Sequence, residues 1–337
     1  MKKLLLLFLS LCLLPVSCNG VYNTEITTDG GDALEYTTAP TTEDRGTPGS
    51  VLNMMSFNIY GLNQMTVAKN KSDYAIDCTI ATRGPKLNAL LRGEAIDIAG
   101  LQEVTADWRS WLTEHLDDDY AFVGYSTRDT GEGGIVLYRK GVYSVLNSGV
   151  FWLVDGAPKT PEKHYTSNFD RMCTWVVFRI NETGEYFLFL DTHLDTSEEA
   201  QPSQARALVG QIPTLQAEVA RLGVSDCPVI LVGDMNCRPG SEPYGVINAC
   251  LQDARRSSEG ETLDDRYSTS PGLRYYPNSY TYVRDEHVID HIFVTDQITV
   301  NHYKMIHTAG NYCEYGAHIS DHNAIIASIT IPKGEQP

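Results

Sequence analysis

Six short apolar runs recur along the chain, and nearly all of them adjoin acids, amides or histidines. In VILVGDMN, residues 229–236, Val229 to Val232 suit a strand buried on both faces, but burial does not require Asp234 and Asn236. The other runs are SVLNMMSFNIYG (50–61), AIDIAGLQEV (95–104), EYFLFLDTHLD (185–195), HVIDHIFVT (287–295) and SDHNAIIASIT (320–330). Strands of this kind restrict the fold strongly, because other elements must cover them.

Helical patterns lie between these strands. GPKLNALLRG (84–93) and SQARALVGQIPTLQAEVARLG (203–223) have helical spacing, whereas GGIVLYRK and SVLNSGVFWLV have the character of neighbouring strands. Strands joined both by helices and by hairpin-length turns predict a mixed sheet system of the α/β class. The polar strand ends are then expected to collect at one edge.

The polar groups at these strand ends are of the kinds that bind hard cations and transfer protons. They are Asn58, Glu103, His193, Asp195, Asp234, Asn236, Asp290, Asp321 and His322. Any one of them alone is more often a turn starter, a helix cap or a satisfied core residue. Their recurrence on six segments is what favours a functional site.

The N-terminus has the features of an export signal followed by a tether. Residues 1–18 have a Lys2-Lys3 start and an apolar run too short to span a bilayer, which predicts a signal peptide. The sequence PVSC places Cys18 where a lipidated cysteine would stand, and a simple cleaved signal is the alternative. Residues 19–50, rich in Thr, Gly and acids, predict a disordered tether before a domain at 51–337. We expect export to the periplasm, to the outer membrane as a lipoprotein, or to the medium.

Charge and cysteine usage narrow the choice of partners. The net charge is −17 at pH 7, which disfavours broad contact with duplex DNA but does not exclude a nuclease with a local cationic cleft or a bound metal. No CxxC pair occurs, so a structural zinc site is not indicated, and export would permit disulfides that the sequence cannot assign. GxSxG and P-loop motifs are missing, which removes the usual marks of serine hydrolases and nucleoside triphosphatases.

The motifs SFNIYG, GLQEV, DTHLD, GDMNCRPGSEPY, IDHIFV and SDHNAI occur in the order used by the endonuclease/exonuclease/phosphatase superfamily. Over residues 51–332 the chain resembles this family, and several segments resemble a bacterial group related to its nocturnin-like branch. The resemblance implies a four-layered α/β sandwich, with two mixed β-sheets packed face to face and helices outside. It also implies a metal-dependent phosphoesterase.

The resemblance suggests a role for each matching residue. Glu103, Asn58 and Asp321 match the oxygen ligands of Mg²⁺ or Mn²⁺. Asp234 matches the general base, and Asn236, two residues further on, matches the amide that orients the nucleophile or a phosphate oxygen.

The remaining matches concern the phosphate group. His322 resembles the histidine that contacts the scissile phosphate, and Asp290 the acid that keeps it protonated. His193 resembles a second phosphate-facing histidine, whose supporting acid stays open. The phosphate-side and substrate-binding candidates of the branch are Arg128, Arg171 and Tyr125, and either arginine could instead be a surface ion-pair partner.

We therefore expect an exported, Mg²⁺-dependent phosphoesterase that uses in-line attack of water. A small phosphorylated metabolite, sugar phosphate or nucleotide fits an acidic enzyme better than a polymer does. A secreted DNase or RNase, with nucleic acid as its partner, is the main alternative. A noncatalytic surface-binding lipoprotein is less favoured, because every expected site residue is present. A monomer is expected.

Overall fold

The computed structural model describes residues 50–67, 75–260, 262–263, 267–273, 287–308 and 318–333. The predicted signal peptide, with Cys18, and all of the predicted tether except Ser50 lie outside these ranges. No helix within them is long and apolar enough to cross a membrane. Five cysteines fall within them, and all five are free thiols.

The first sheet has seven strands among the described residues. In spatial order they are β12 (Thr262–Leu263), β14 (Thr299–Ile306), β15 (Ala324–Ile331), β1 (Ser50–Asn58), β4 (Ile98–Gln102), β6 (Gly133–Arg139) and β5 (Tyr120–Ser126). Strand β1 runs parallel to β4 and antiparallel to β15, so the sheet is mixed. The parallel register pairs Asn58 with Gln102, which brings Asn58 close to Glu103.

The second sheet has six strands in the described part of the chain. Their order is β11 (Gln252–Asp253), β13 (Asp290–Val294), β10 (Val229–Asp234), β9 (Tyr186–His193), β8 (Met172–Ile180) and β7 (Tyr143–Trp152). Strand β10 runs parallel to β9, which pairs Asp234 with His193, and antiparallel to β13, which pairs Asp234 with Asp290. A separate hairpin consists of β2 (Met65–Val67) and β3 (Ala75–Asp77).

The inner faces of the two sheets pack on each other through one apolar core. It contains Met54, Ile98, Val136, Phe178, Phe189, Val232, Ile292 and Ile325, all fully buried. Gly100 allows the sheets to approach closely, because a Cβ there would lie 2.3 Å from Cγ2 of Val232. The face-to-face packing is the arrangement that the family resemblance implies.

Helices cover the outer faces. Helices α1 (Ile80–Gly93) and α2 (Ala106–Leu116) belong to the cluster over the first sheet. Helix α3 (Gln201–Ala220) and the short α4 (Glu242–Asn248) belong to the cluster over the second, and α5 (Ala254–Ser257) is a single turn. The predicted four-layered α/β sandwich is therefore confirmed.

Local sequence explains where the helices form. In α3 the buried residues Leu208, Ile212, Leu215 and Val219 recur every three or four positions, as one covered face requires. Helix α2 has the same spacing at Trp108, Trp111, Leu112 and Leu116, and the hydroxyl of its N-cap accepts a hydrogen bond from Trp108 N. Helices α1 and α3 were predicted from the sequence, whereas α2 was not, although its apolar spacing is visible there.

Candidate active site

The polar strand ends meet at one edge of the sandwich. Strands β1 and β4 supply Asn58 and the residue after Gln102, while β9, β10 and β13 supply His193, Asp234 and Asp290. Parallel neighbours end at the same edge of a sheet. The parallel pairings of β1 with β4 and of β9 with β10 therefore bring these side chains together. The collection of polar ends expected from the sequence is thus present in the structure.

Asn58 links the two sheets at this edge. Its Nδ2 donates to Glu103 Oε1 at 2.9 Å and to Asp234 Oδ2 at 3.1 Å. The other oxygen of Glu103 accepts from Gly61 N at 3.0 Å. Glu103 has a backbone φ of 59°, an unusual value for a residue other than glycine, which points its carboxylate away from the strand direction.

Asp234 lies at the centre of the site and is almost fully buried. Its Oδ1 accepts from Asn236 N at 2.9 Å, and its Oδ2 lies 3.4 Å from His193 Nε2 and 3.8 Å from His322 Nε2. Burial and the Asp290 carboxylate raise the pKa of Asp234, although His322 opposes this. A carboxylate with a raised pKa is a better proton acceptor than an ordinary aspartate.

The sequence left open which acid supports His193, and the structure places Asp234 and the amide of Asn236 beside it. Nε2 of His193 lies 3.0 Å from Asn236 Nδ2 as well as close to Asp234. Burial and the positive charges of Arg171 and His322 lower the pKa of His193 well below its ordinary value, so the imidazole is neutral. Asn236 also donates to Leu194 O at 2.9 Å and adopts a positive φ of 46°, which asparagine tolerates.

His322 and Asp290 form a buried pair. Nδ1 of His322 lies 2.9 Å from Asp290 Oδ2, and Thr269 Oγ1 accepts from Asp290 N at 3.1 Å. Burial opposes the charged imidazole, but the carboxylates of Asp290 and Asp234 raise the pKa of His322 well above its ordinary value. The two imidazoles of the site thus differ: their surroundings favour the charged form of His322 and the neutral form of His193.

Two sets of residues at this edge could hold a cation. Ligand atoms of Asp234, Asp290 and His322 lie within 4.8 Å of one another. In that set the protonated His322 already supplies a positive charge. The second set is Asn58, Glu103 and Asp321, where burial, reinforced by the Glu103 carboxylate, raises the pKa of Asp321. A divalent cation would relieve this crowding of carboxylates, and an all-oxygen set suits Mg²⁺ or Mn²⁺.

A small open cleft adjoins the site, and its wall includes Glu103, His193 and Arg171. The side chain of Arg171 is only 10% exposed, and its buried Nε has no hydrogen-bond partner in the described part of the chain. Asp195 lies behind it, with Oδ2 at 3.8 Å from Arg171 Nε. The guanidinium is therefore fixed at the wall with hydrogen-bonding capacity to spare.

Asp195 supports the wall of this cleft and is not the acid partner of His193. Its Oδ1 accepts from Asn168 N at 3.1 Å and its Oδ2 from Phe169 N at 2.9 Å, which holds the segment leading to Arg171. The guanidinium of Arg171 also lies 5.1 Å from the centre of the Phe169 ring.

The other two substrate-binding candidates do not belong to the wall of this cleft. Arg128 is 63% exposed and its Nε lies 3.6 Å from Asp170 Oδ2, the ion-pair alternative considered for it. Tyr125 is half-buried on β5, in register with Gly134. Of the three candidates, the structure places only Arg171 at the site.

Arg83, which the sequence analysis missed, is fully buried beneath two loops of the site. All five of its N–H groups donate to backbone carbonyl oxygens. The acceptors are Cys78 O, Ile59 O, Tyr60 O, Leu62 O and Ile319 O. The residues after Asn58 are thereby tied to those before Asp321. No single-sequence signal marks such an arginine, because its partners are main-chain atoms.

Asp191 is a second residue that the sequence analysis missed. It lies fully buried between the sheets, and Gln102 Nε2 donates to its Oδ1 at 2.6 Å. Among the residues that the structure describes, its Oδ2 and Gln102 Oε1 have no hydrogen-bond partner. A Cβ on Gly134 would lie 2.7 Å from Asp191 Oδ2, so the glycine makes room for the carboxyl group. Burial raises the pKa of Asp191 well above its ordinary value.

Asp191→Asn is expected to stabilise the protein increasingly as the pH rises. Above pH ~4 the unfolded chain releases the Asp191 proton that the folded chain retains, so the wild type loses up to about 1.4 kcal/mol per pH unit. Asparagine has no such titration. Urea unfolding of both proteins from pH 5 to pH 8 measures the difference. Asp118→Asn, at an exposed position, is the control, and parallel curves for Asp191→Asn and wild type would contradict a neutral Asp191.

Comparison with known proteins agrees with this geometry. The Endonuclease/Exonuclease/phosphatase family model matches residues 55–322. No match was found among curated proteins. An endonuclease/exonuclease/phosphatase family protein from Bacteroides thetaiotaomicron has a similar solved structure, with a TM-score of 0.67 at 24% identity, covering 85% of this chain and 100% of that one.

Two further solved structures are similar. A mannosyl-6-phosphatase from Bacteroides thetaiotaomicron has a TM-score of 0.65 at 23% identity, covering 83% of this chain and 100% of that one. The human nocturnin catalytic domain with a bound sulfate has a TM-score of 0.57 at 14% identity, covering 84% and 95%. These likenesses establish the fold, and the family match extends over most of the chain. The chain therefore belongs to the Endonuclease/Exonuclease/phosphatase family and is a metal-dependent phosphoester hydrolase.

Proposed function

We propose that this protein removes phosphate from a small hydroxylated metabolite such as a sugar phosphate. The observation that carries the proposal is the chemistry of the cleft. Arg171 supplies one buried guanidinium for a phosphate, whereas Glu132, Asp170 and Thr127 supply acceptors for hydroxyl groups. The structural likeness to a mannosyl-6-phosphatase supports the same substrate class.

Charge supports a small substrate over a nucleic acid. The net charge is −17, and carboxylates form part of the cleft wall beside the one arginine. Nonspecific nucleic-acid affinity comes largely from Lys and Arg that neutralise phosphates. A strand of DNA or RNA would bring several phosphates past the carboxylate of Glu132, which repels them.

The residues of the site would divide the reaction between them. Water attacks phosphorus in line with the leaving oxygen, Asp234 takes its proton, and Asn236 orients it. The imidazolium of His322, held by Asp290, stabilises negative charge on the phosphoryl oxygens as the transition state forms. The neutral His193 hydrogen-bonds the same group, and Arg171 binds it from the cleft.

Mg²⁺ or Mn²⁺ would be held by the carboxylates of Glu103 and Asp321, with Oδ1 of Asn58, which accepts from Tyr60 N at 3.1 Å, as the third oxygen. When bound, the cation supplies Lewis-acid polarisation of a phosphoryl oxygen and charge neutralisation. The oxygen-only donor set and the raised pKa of Asp321 are the features of this chain that fit such an ion. Asn58 would hold the set in register with Asp234, since its amide contacts both Glu103 and Asp234.

Phosphate release is expected from hexose 6-phosphates in the presence of Mg²⁺, and EDTA should abolish it. The purified protein is assayed against a hexose 6-phosphate, a nucleoside monophosphate, a phosphodiester, and single-stranded and duplex DNA and RNA. Adding back Mg²⁺ or Mn²⁺ should restore the activity, because EDTA removes the metal ion and leaves the protein intact. Cleavage of polymer alone, with a steep salt dependence, would contradict the proposal and favour the nuclease alternative.

A further inference from the structure

Glu132 occupies a fixed position on the cleft wall and takes no part in the chemical steps proposed above. It closes the β5–β6 hairpin, where its carbonyl accepts from Thr127 N at 2.7 Å and from Thr127 Oγ1 at 3.0 Å. Its own N–H donates to Thr130 Oγ1 at 3.2 Å. Three hydrogen bonds thus fix its backbone, and a side chain on a fixed backbone presents its carboxylate with little loss of entropy on binding.

The carboxylate of Glu132 lies close to the reacting centre. A Cβ on Gly61 would lie 3.2 Å from Glu132 Oε1, and Gly61 N is the donor to the Glu103 carboxylate. Burial and the Glu103 charge raise the pKa of Glu132, while Arg171 opposes them. Placing a second carboxylate here costs free energy, and side chains held at such a cost are concentrated at functional sites.

The rest of the wall shows what this carboxylate could meet. Thr127, Thr130 and Asp170 add further oxygen atoms, and Met172 is the largest apolar side chain beside them. Within the described part of the chain, no Phe, Tyr or Trp side chain belongs to this wall, and His193 supplies its one aromatic ring. The wall therefore offers a nucleobase little stacking surface, whereas a polyol would find several hydrogen-bond acceptors.

We infer that Glu132 selects a polyhydroxylated leaving group by accepting hydrogen bonds from its hydroxyls. The inference rests on the proposed phosphatase function and adds the residue that recognises the substrate. A carboxylate accepts two or more hydroxyl hydrogen bonds and repels a second phosphate group. The cleft would therefore favour a monophosphorylated sugar over a bisphosphate or a nucleoside polyphosphate.

The test compares two substrates that differ in the hydroxyl groups Glu132 would recognise and, apart from these, in the ring oxygen of glucose. Glucose 6-phosphate and cyclohexylmethyl phosphate share a primary alkyl leaving oxygen and a six-membered ring, but the second has no hydroxyl groups. The readout is the ratio of their kcat/KM values with Mg²⁺ present. Because both substrates are phosphate monoesters of the same charge, the ratio cancels the general effect of removing a negative charge from the cleft.

Glu132→Gln is expected to lower this ratio by about tenfold or more, because hydrogen bonds to a charged acceptor are the stronger ones. Glu132→Asp keeps the charge but withdraws the carboxylate, and it should lower the ratio as well. Glu199→Gln, at an exposed position outside the cleft, is the matched control and should leave the ratio unchanged.

Three other results would overturn the inference. If the wild type hydrolyses both substrates and Glu132→Gln keeps the wild-type ratio, Glu132 does not select the leaving group, although the proposed function stands. If Glu132→Gln instead raises the Mg²⁺ concentration for half-maximal activity by tenfold, Glu132 acts on the metal. If the wild type hydrolyses neither substrate with Mg²⁺, the proposed function fails together with the inference.

Discussion

Asp234→Asn is expected to lower kcat for phosphate release by about 10²–10⁴-fold, the usual contribution of a positioned general base. Asparagine keeps the size of the side chain and can still meet Asn236 N, but it cannot take a proton from water. The KM should change little, because Asp234 is not among the residues proposed to bind the substrate. Steady-state kinetics of the purified variant with saturating Mg²⁺ measures both constants.

The control for this variant is Asp296→Asn, which makes the same change at an exposed position and should retain wild-type kinetics. The Mg²⁺ dependence separates the two roles that a buried carboxylate at this edge could have. If Asp234 acts only as the base, the Asp234→Asn substitution leaves the half-saturating Mg²⁺ concentration unchanged. A rise in that concentration that accounts for the lost activity would show that Asp234 is a metal ligand and not the base, and would shift the metal to the set of Asp234, Asp290 and His322.

Arg83→Met is expected to lower the free energy of unfolding by about 3 kcal/mol or more. The guanidinium makes five hydrogen bonds to backbone carbonyl groups, and each buried group left without a donor costs about 1–3 kcal/mol unless water reaches it. Arg83 also packs against Trp108, 4.9 Å from the ring centre, and methionine would retain much of that apolar contact. Urea unfolding followed by circular dichroism gives the difference.

Arg83→Lys is the informative companion variant. Lysine keeps the positive charge but has three donors on one nitrogen, so it cannot reach both Cys78 O, which accepts from Arg83 Nε, and Ile319 O, which accepts from Nη1. It should recover only part of the lost stability. If Arg83→Met unfolds within about 1 kcal/mol of the wild type, then water satisfies these carbonyls and the arginine does not hold the two loops together.

Many of the strands and helices could be predicted from the sequence, because apolar runs of strand length and helical apolar spacing are local properties. Val229 to Val232 were predicted as a strand buried on both faces, and they lie in β10, Val229–Asp234, which is buried at every position. The helix predicted at 203–223 is α3, Gln201–Ala220. The identity of the neighbouring strands does not follow from such runs, since a buried strand can pair on either edge with many partners.

The candidate site could be predicted in part for the same reason. Polar residues that end apolar strands are visible in the sequence, and parallel pairing then brings Asn58, His193 and Asp234 to one edge. The phosphate-side arginines were harder to choose between. Arg128 and Arg171 stand in similar sequence contexts, and only the burial of Arg171 beside Asp195 separates a cleft residue from an exposed ion-pair partner.

The sequence by itself determined the α/β class, the family resemblance and the strand-end acids, amides and histidines, because these depend on residue type and short-range spacing. Only the tertiary structure decided that Asp195 serves Arg171, that Asn236 and Asp234 face His193, and that Asp191 lies between two sheets. Those facts depend on contacts between residues distant in the chain. A carboxyl group or a guanidinium has the same sequence signature in water and in a core, and its partners and its pKa are set only when the sheets pack.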